Sequence, residues 1–173
     1  MRPIRVLQAG RVEPALLDAV VAGLAHEFRT DCSVAEQMLD PSFALHPERN
    51  QYHSTVIIEK MMAVDGAGHG LVAVTPHDLY IPILTFVFGE AQLGGHCALV
   101  SYHRLTQEFY GLPPDHELLT ERLVKEAIHE YGHTLGLTHC DDYECVMASS
   151  YAVEWLDLKT SALCPDCRSK SEE

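Results

Sequence analysis

Eleven consecutive residues, His129-Glu130-Tyr131-Gly132-His133-Thr134-Leu135-Gly136-Leu137-Thr138-His139, constrain this chain more than any other stretch of it. Residues four apart lie one turn apart on one face of an α-helix, so His129 and His133 can direct their rings at a single ion from a rigid rod. Gly136 then ends the helix, because a glycine takes the left-handed conformation without a Cβ clash. Leu137 and Thr138 bring His139 back toward the same ion from outside the helix. Three imidazoles leave one coordination position free for water, as catalytic zinc requires, and Glu130 sets a carboxylate beside it. The fold has to present the end of this helix to a cleft.

The surrounding residues predict such a helix. Asp115, directly after Pro113 and Pro114, is a candidate N-cap, and Val124, Ile128, Tyr131 and Leu135 recur at spacings of four, three and four. These form an apolar stripe for packing on the core. His129 and His133 fall roughly opposite it, together with Arg122 and Glu126, facing the cleft. The bland alternative is a surface helix with incidental histidines, which the length of the motif disfavours.

A second constellation begins at the next residue. Cys140 and Cys145, followed by the Cys164-Pro165-Asp166-Cys167 knuckle, have the spacing of four thiolates around one tetrahedral, structural zinc. A redox pair at Cys164 and Cys167 or two disulfides are the alternatives. A redox CxxC is expected at a helix start after a strand, whereas this one lies near the C-terminal end behind two partner cysteines. A clamp on Cys140 would pin the loop that delivers His139.

Between the cysteine pairs lies Met147. HExxHxxGxxH followed by a methionine turn resembles the signature of the metzincin zinc peptidases. The cysteine directly after the third histidine, with the rest of the quartet, makes the chain similar to the archaemetzincins, in which a cysteine-bound zinc lies beside the catalytic one. The resemblance implies two zinc ions per chain. One is catalytic, on His129, His133 and His139 above Met147; the other is structural, on Cys140, Cys145, Cys164 and Cys167. It also implies peptide or protein substrates and a sheet whose antiparallel edge strand lines the cleft, for which Leu84 to Ala91 is the candidate. Some metzincins carry a tyrosine two residues after the turn methionine. Ser149 stands there and Tyr151 is out of register, so no oxyanion partner besides zinc is assigned. The expected mechanism has Glu130 as general base and acid for zinc-activated water.

The fold expected is α/β (α+β): a compact single-domain metzincin-like peptidase with a mixed, mainly parallel twisted sheet. Its N-terminal part, 1–136, carries the zinc helix, and a small zinc-clamped C-terminal part, 137–173, carries the methionine turn. Ile4 to Gln8, Cys32 to Glu36, Leu71 to Val74, Ile83 to Phe88 and Ala98 to His103 read as strands. Pro14 to Phe28 and roughly Pro47 to Val64 read as helices, with Gly89, Gly94 and Gly95 as turns. With 173 residues and 47% hydrophobic content, one domain can bury an adequate core. The start lacks a signal-peptide apolar region and no stretch suits a bilayer span, so a cytoplasmic protein without membrane partners is expected. Reduced thiols in that compartment favour metal over disulfides. Cys32 and Cys97 read as small buried residues, and Ser169 to Glu173 as a frayed tail. A monomer is the default oligomeric expectation.

Two other readings compete. A bacterial RNA-processing endonuclease family spaces three histidines in the same way, but without a glutamate after the first, and a phosphodiester substrate favours a basic groove. Formal charge of −13, from 12 basic and 25 acidic residues, argues against nucleic-acid partners. The other is a catalytically weak zinc-binding module on a peptidase fold. Among the remaining histidines, His103 and His116 are nearest in sequence to the zinc helix, and the rest read as surface or hydrogen-bonded residues.

Overall fold

A computed structural model describes residues 1–64 and 68–172. Its frame is a five-stranded sheet built from β1 (Ile4–Ala9), β2 (Cys32–Leu39), β5 (Gly70–Thr75), β7 (Gly89–Ala91) and β8 (Cys97–Ser101), in the order β2-β1-β5-β8-β7. The first four of that order pair in parallel; β7 runs antiparallel to β8 at the edge. Helix α1 (Pro14–Phe28) and helix α3 (His116–Thr134) cover one face, and α2 (Ser54–Val64) the other.

Alternation along the strands divides the core between these faces. Ile4, Val6, Val72, Val74, Ala98 and Val100 pack with the α1 and α3 side; Ala9, Leu71, Ala73, Cys97 and Leu99 pack with α2. β5 and β8 are buried throughout, as parallel strands covered on both faces must be. Gly89 therefore belongs to the edge strand rather than to a turn, while Gly94 and Gly95 do turn the chain.

Two further expectations are corrected. The helix expected from Pro47 begins only at Ser54, because Pro47 to Asn50 form a turn with Asn50 at φ 52°. The intervening β4 (Gln51–His53) pairs with β3 (Leu45–His46) and β6 (Leu79–Tyr80) in a small second sheet. The strand expected over Ile83 to Phe88 is instead a turn and irregular segment; only Val87 bridges, to Leu79, before β7 starts. Its carbonyls bond to side chains, with Arg49 donating to Leu84 and Thr85 and Gln51 donating to Thr85. Those bonds replace a strand ladder.

The C-terminal part adds α4 (Val153–Leu158) and α5 (Pro165–Ser171). α5 extends through Ser171, so most of the expected frayed tail is helical; Glu173 lies outside the described residues. Cys164 caps α5 by accepting from the Cys167 N–H, which puts the CxxC at a helix start after all, though not after a strand. α4 is tied to α3 through Arg122, whose guanidinium pairs with Asp157 at 2.8 and 2.6 Å and donates to the Leu105 carbonyl. Arg122 thus braces the C-terminal part and does not line the cleft as expected. No helix among the described residues is long and apolar enough to cross a membrane.

Candidate active site

Asp115 caps α3 as expected, its carboxylate accepting from the Leu118 N–H at 2.9 Å. The helix is buried on most sides from Arg122 to Thr134, with Leu123, Ala127, Ile128 and Tyr131 in the core and Val124 and Leu135 only packed against it. At its end His129 is buried, His133 half-buried and His139 exposed. Their ligand nitrogens lie within 4.8 Å of one another.

Two hydrogen bonds fix how these rings point. His129 Nδ1 donates to the Val146 carbonyl at 2.8 Å, and His133 Nδ1 donates to the Leu137 carbonyl at 2.7 Å. In neutral imidazoles this leaves the lone pairs on Nε2, and those two atoms face each other at 3.1 Å. Burial, chiefly, holds both rings below the ordinary histidine range, Lys159 and neighbouring histidines adding to the effect, so neutral rings are favoured. Facing lone pairs repel unless a cation lies between them. The donor set therefore fits a metal ion of the zinc type, held on Nε2 with Nδ1 anchored to backbone carbonyls.

His139 arrives through Gly136, whose φ of 86° is the left-handed turn expected. The next residue fixes its loop: Cys140 N–H donates to the Met147 carbonyl at 3.0 Å. Met147 is fully buried beneath the site, and Gly132 makes room for it, since a Cβ there would lie 2.5 Å from Met147 Sδ.

Glu130 is buried beside the edge strand. A Cβ on Gly89 would come within 2.7 Å of Glu130 Cγ, so glycine at this place in β7 allows the carboxylate to lie against the strand. Burial above all, then the neighbouring Glu126, raises the proton affinity of Glu130 well above that of an ordinary carboxylate. Such a group readily accepts a proton. Around it opens a cleft of about 380 Å³, walled by Leu84 to Gly89 on one side and Ser149, Ser150 and Tyr151 on the other. Two larger concavities, of about 510 and 560 Å³, are not lined by His129, His133 or His139. The cleft wall is held in place by Arg104, which pairs with Asp78 and stacks between Phe86 and Phe109. His103 bonds the Pro76 carbonyl and His116 pairs with Glu13; neither lines the cleft.

One buried group was not foreseen. Lys159, directly after α4, donates to the Ala148 carbonyl at 2.9 Å, lies 3.7 Å from Glu126 and comes within 3.5 Å of His129 Nδ1. Glu126 was legible from its helical face, but no local pattern connects Lys159 to a helix thirty residues earlier.

The second cluster lies next to the first. Sγ atoms of Cys140, Cys145, Cys164 and Cys167 all fall within 4.8 Å, and Cys140 and Cys164 are 3.8 Å apart. All are free thiols, against the disulfide alternative. Backbone N–H groups of Met147 and Cys164 point at the Cys145 sulfur, and that of Cys167 at the Cys164 sulfur. Such bonds favour sulfur carrying negative charge, and the Cys167 N–H is the chief reason the Cys164 thiol lies below the ordinary range, whereas burial outweighs them at Cys145 and also raises the Cys167 thiol. Cys32 is half-buried and Cys97 buried, both outside the cluster.

Comparison with known proteins settles the class. The model of peptidase family M54 matches residues 16–173. The chain belongs to that family, the archaemetzincins. An archaemetzincin of Methanocaldococcus jannaschii is 42% identical over 142 residues, covering 82% of this chain and 78% of its own. Among solved structures, a zinc-dependent peptidase from Methanocorpusculum labreanum superposes with a TM-score of 0.88 at 32% identity, covering 97% of this chain and 99% of that one. The archaemetzincin of Methanopyrus kandleri gives 0.86 at 31%, covering 99% and 93%. The protein is a zinc metallopeptidase of mixed α/β fold, as the motif led one to expect, and family membership answers the endonuclease alternative in favour of peptide-bond hydrolysis.

Proposed function

We propose that His129, His133 and His139 hold the catalytic zinc, that Glu130 is the general base and acid, and that Cys140, Cys145, Cys164 and Cys167 hold a second, structural zinc. The observation that carries this reading is the pair of carbonyl-anchored imidazoles, Nε2 facing Nε2 at 3.1 Å, beside a buried glutamate. Zinc bound there supplies Lewis acidity, lowering the pKa of water to about 7 and polarising the scissile carbonyl.

The chain's own residues do the rest. Glu130 takes a proton from the attacking water and delivers it to the departing amine, so the carboxylate is regenerated with each turnover. His129 and His133 keep their orientation because Val146 and Leu137 hold the far side of each ring. The outer edge of β7 has no strand partner among the described residues, and Gly89 lines the cleft, so a peptide can add to that edge by main-chain hydrogen bonds. Phe86, Phe88 and Tyr151 supply apolar surface along the cleft.

Metal analysis and digestion of a peptide library test the reading together. Two zinc per chain are expected, one of them released first by a chelator, together with cleavage by the wild type and none by Glu130→Gln that still holds both ions. Undiminished cleavage by that variant would exclude Glu130 as the base.

A further inference from the structure

We propose that Lys159 is a positioning residue of the peptidase: its buried ammonium joins the methionine turn to the zinc helix and so sets one wall of the cleft against the histidines and Glu130. This role rests on the peptidase reading and adds to it a residue outside both ligand sets.

Lys159 stands directly after α4, and its side chain is 1% exposed. A buried ammonium needs partners for its donors and its charge. It donates to the Ala148 carbonyl at 2.9 Å. Glu126 supplies the counter-charge at 3.7 Å, from a buried carboxylate one turn before Glu130 on α3. His129 Nδ1 lies 3.5 Å away, but that nitrogen already donates to the Val146 carbonyl, so it is a neighbour of the ammonium rather than its acceptor.

These partners belong to two sides of the cleft. Ala148 directly precedes Ser149, Ser150 and Tyr151, which form one wall, and it follows by two residues Val146, whose carbonyl anchors the His129 ring. Glu126, His129 and Glu130 lie on α3. The segment after Lys159 is laid along the methionine turn: Thr160 N–H donates to the Glu144 carbonyl and Val146 N–H to the Ala162 carbonyl, both at 2.9 Å. Those bonds hold the turn to the chain that follows it, and Lys159 adds a link from the turn to the helix. Stability alone does not call for an ion pair here, since desolvation of two charges offsets much of their attraction. An apolar side chain could fill the same volume, but it could not hold the Ala148 carbonyl and Glu126 together. A shift of Ala148 would carry the wall and the Val146 anchor with it, moving a bound peptide relative to Glu130.

The test is peptide turnover by the full-length, zinc-loaded protein, with the zinc content of each variant matched to wild type. Lys159→Met keeps the length of the side chain without its charge. Its kcat is expected to fall about a hundredfold, the cost of a misplacement of about 1 Å, with KM close to the wild-type value. Because Lys159→Met strands the Glu126 charge and can misfold, Glu126→Gln/Lys159→Met is the second variant, with Glu126→Gln as its reference for loss of the carboxylate alone. Removing both charges should recover the melting temperature, while kcat stays well below that of Glu126→Gln. Wild-type kcat in Lys159→Met overturns the role. So does a kcat that returns with the melting temperature in the double variant, one no lower than in Glu126→Gln, or a double variant that cannot be brought to the wild-type zinc content. Each of these leaves the peptidase reading standing. Absence of cleavage by wild type overturns that reading, and the role of Lys159 with it.

Discussion

The histidine and cysteine clusters are neighbours joined by one peptide bond, between His139 and Cys140, and each brings its ligand atoms within 4.8 Å. They are built in opposite ways. Two of the histidines come from one helix, their outer nitrogens tied to carbonyls, and the third is exposed at the mouth of a cleft. The cysteines come from separate segments, two of them buried, with backbone N–H groups directed at sulfur. Rigidity with an open side suits a metal that must admit water and substrate; enclosure by chain segments suits one that replaces core in a small C-terminal part. We propose that the shared backbone makes the open site dependent on the closed one.

The largest expected effect separates chemistry from architecture. Glu130→Gln keeps the shape of the cleft and both ligand sets, and should lower kcat by about 10² to 10⁴, the usual worth of a positioned acid–base group. Zinc content should stay at the wild-type level, measured by elemental analysis alongside peptide turnover. The converse experiment attacks the closed site. Cys164→Ser removes a candidate thiolate ligand while keeping a side-chain oxygen that can still cap α5. One zinc should be lost and the melting temperature should fall, since binding free energy at such sites is folding free energy. Turnover should fall as well, although every histidine and Glu130 remain. If turnover survives loss of that zinc, the two clusters are independent and the dependence argued above is wrong.

What was legible in the sequence follows the same division. The histidine helix could be placed to the residue because its cap, its 3.6 period and its terminal glycine are all local signals, and the structure has Asp115 and Gly136 in those roles. β3, β4 and β6 were not legible: strands of two or three residues exist only through pairing with distant partners, such as Tyr52 with Leu79. The apolar run from Ile83 to Phe88 looked like a strand, yet its carbonyls bond to Arg49 and Gln51, side chains more than thirty residues away. Lys159 escaped notice for the same reason, as the groups that explain its burial lie on α3 and in the methionine turn.

A smaller effect comes from narrowing the open side itself. In Gly89→Ala the added methyl would lie 2.7 Å from the Leu99 carbonyl oxygen and equally close to Glu130 Cγ. The first contact is backbone and cannot swing away, so β7 must shift, with a cost of about 1–3 kcal/mol expected for overpacking. Loss of turnover should exceed what the fall in melting temperature explains, because Glu130 is displaced along with the strand. An equivalent loss without destabilisation would place the effect on the carboxylate alone.

The smallest effect is a change in slope with pH in metal-free protein. Burial above all keeps His129 and His133 below the ordinary value of 6.5, so the unfolded chain binds these protons more strongly. Their contribution to stability is present above pH 6.5 and is lost as pH falls through the lower folded values. Glu130 has the opposite sign. Burial raises it above 4.5, so its contribution is present below pH 4.5 and is lost as pH rises through the folded value. Between pH 6.5 and 4.5 the histidine and glutamate contributions therefore oppose each other in the wild type. Chelator-treated Glu130→Gln lacks the opposing part, and its melting temperature should fall more steeply over that range than that of chelator-treated wild type. Parallel curves would mean that Glu130 does not titrate there, and would remove the argument that burial prepares it to accept a proton. With zinc restored the histidine contribution should be masked, since the ion competes with protons for the same nitrogens.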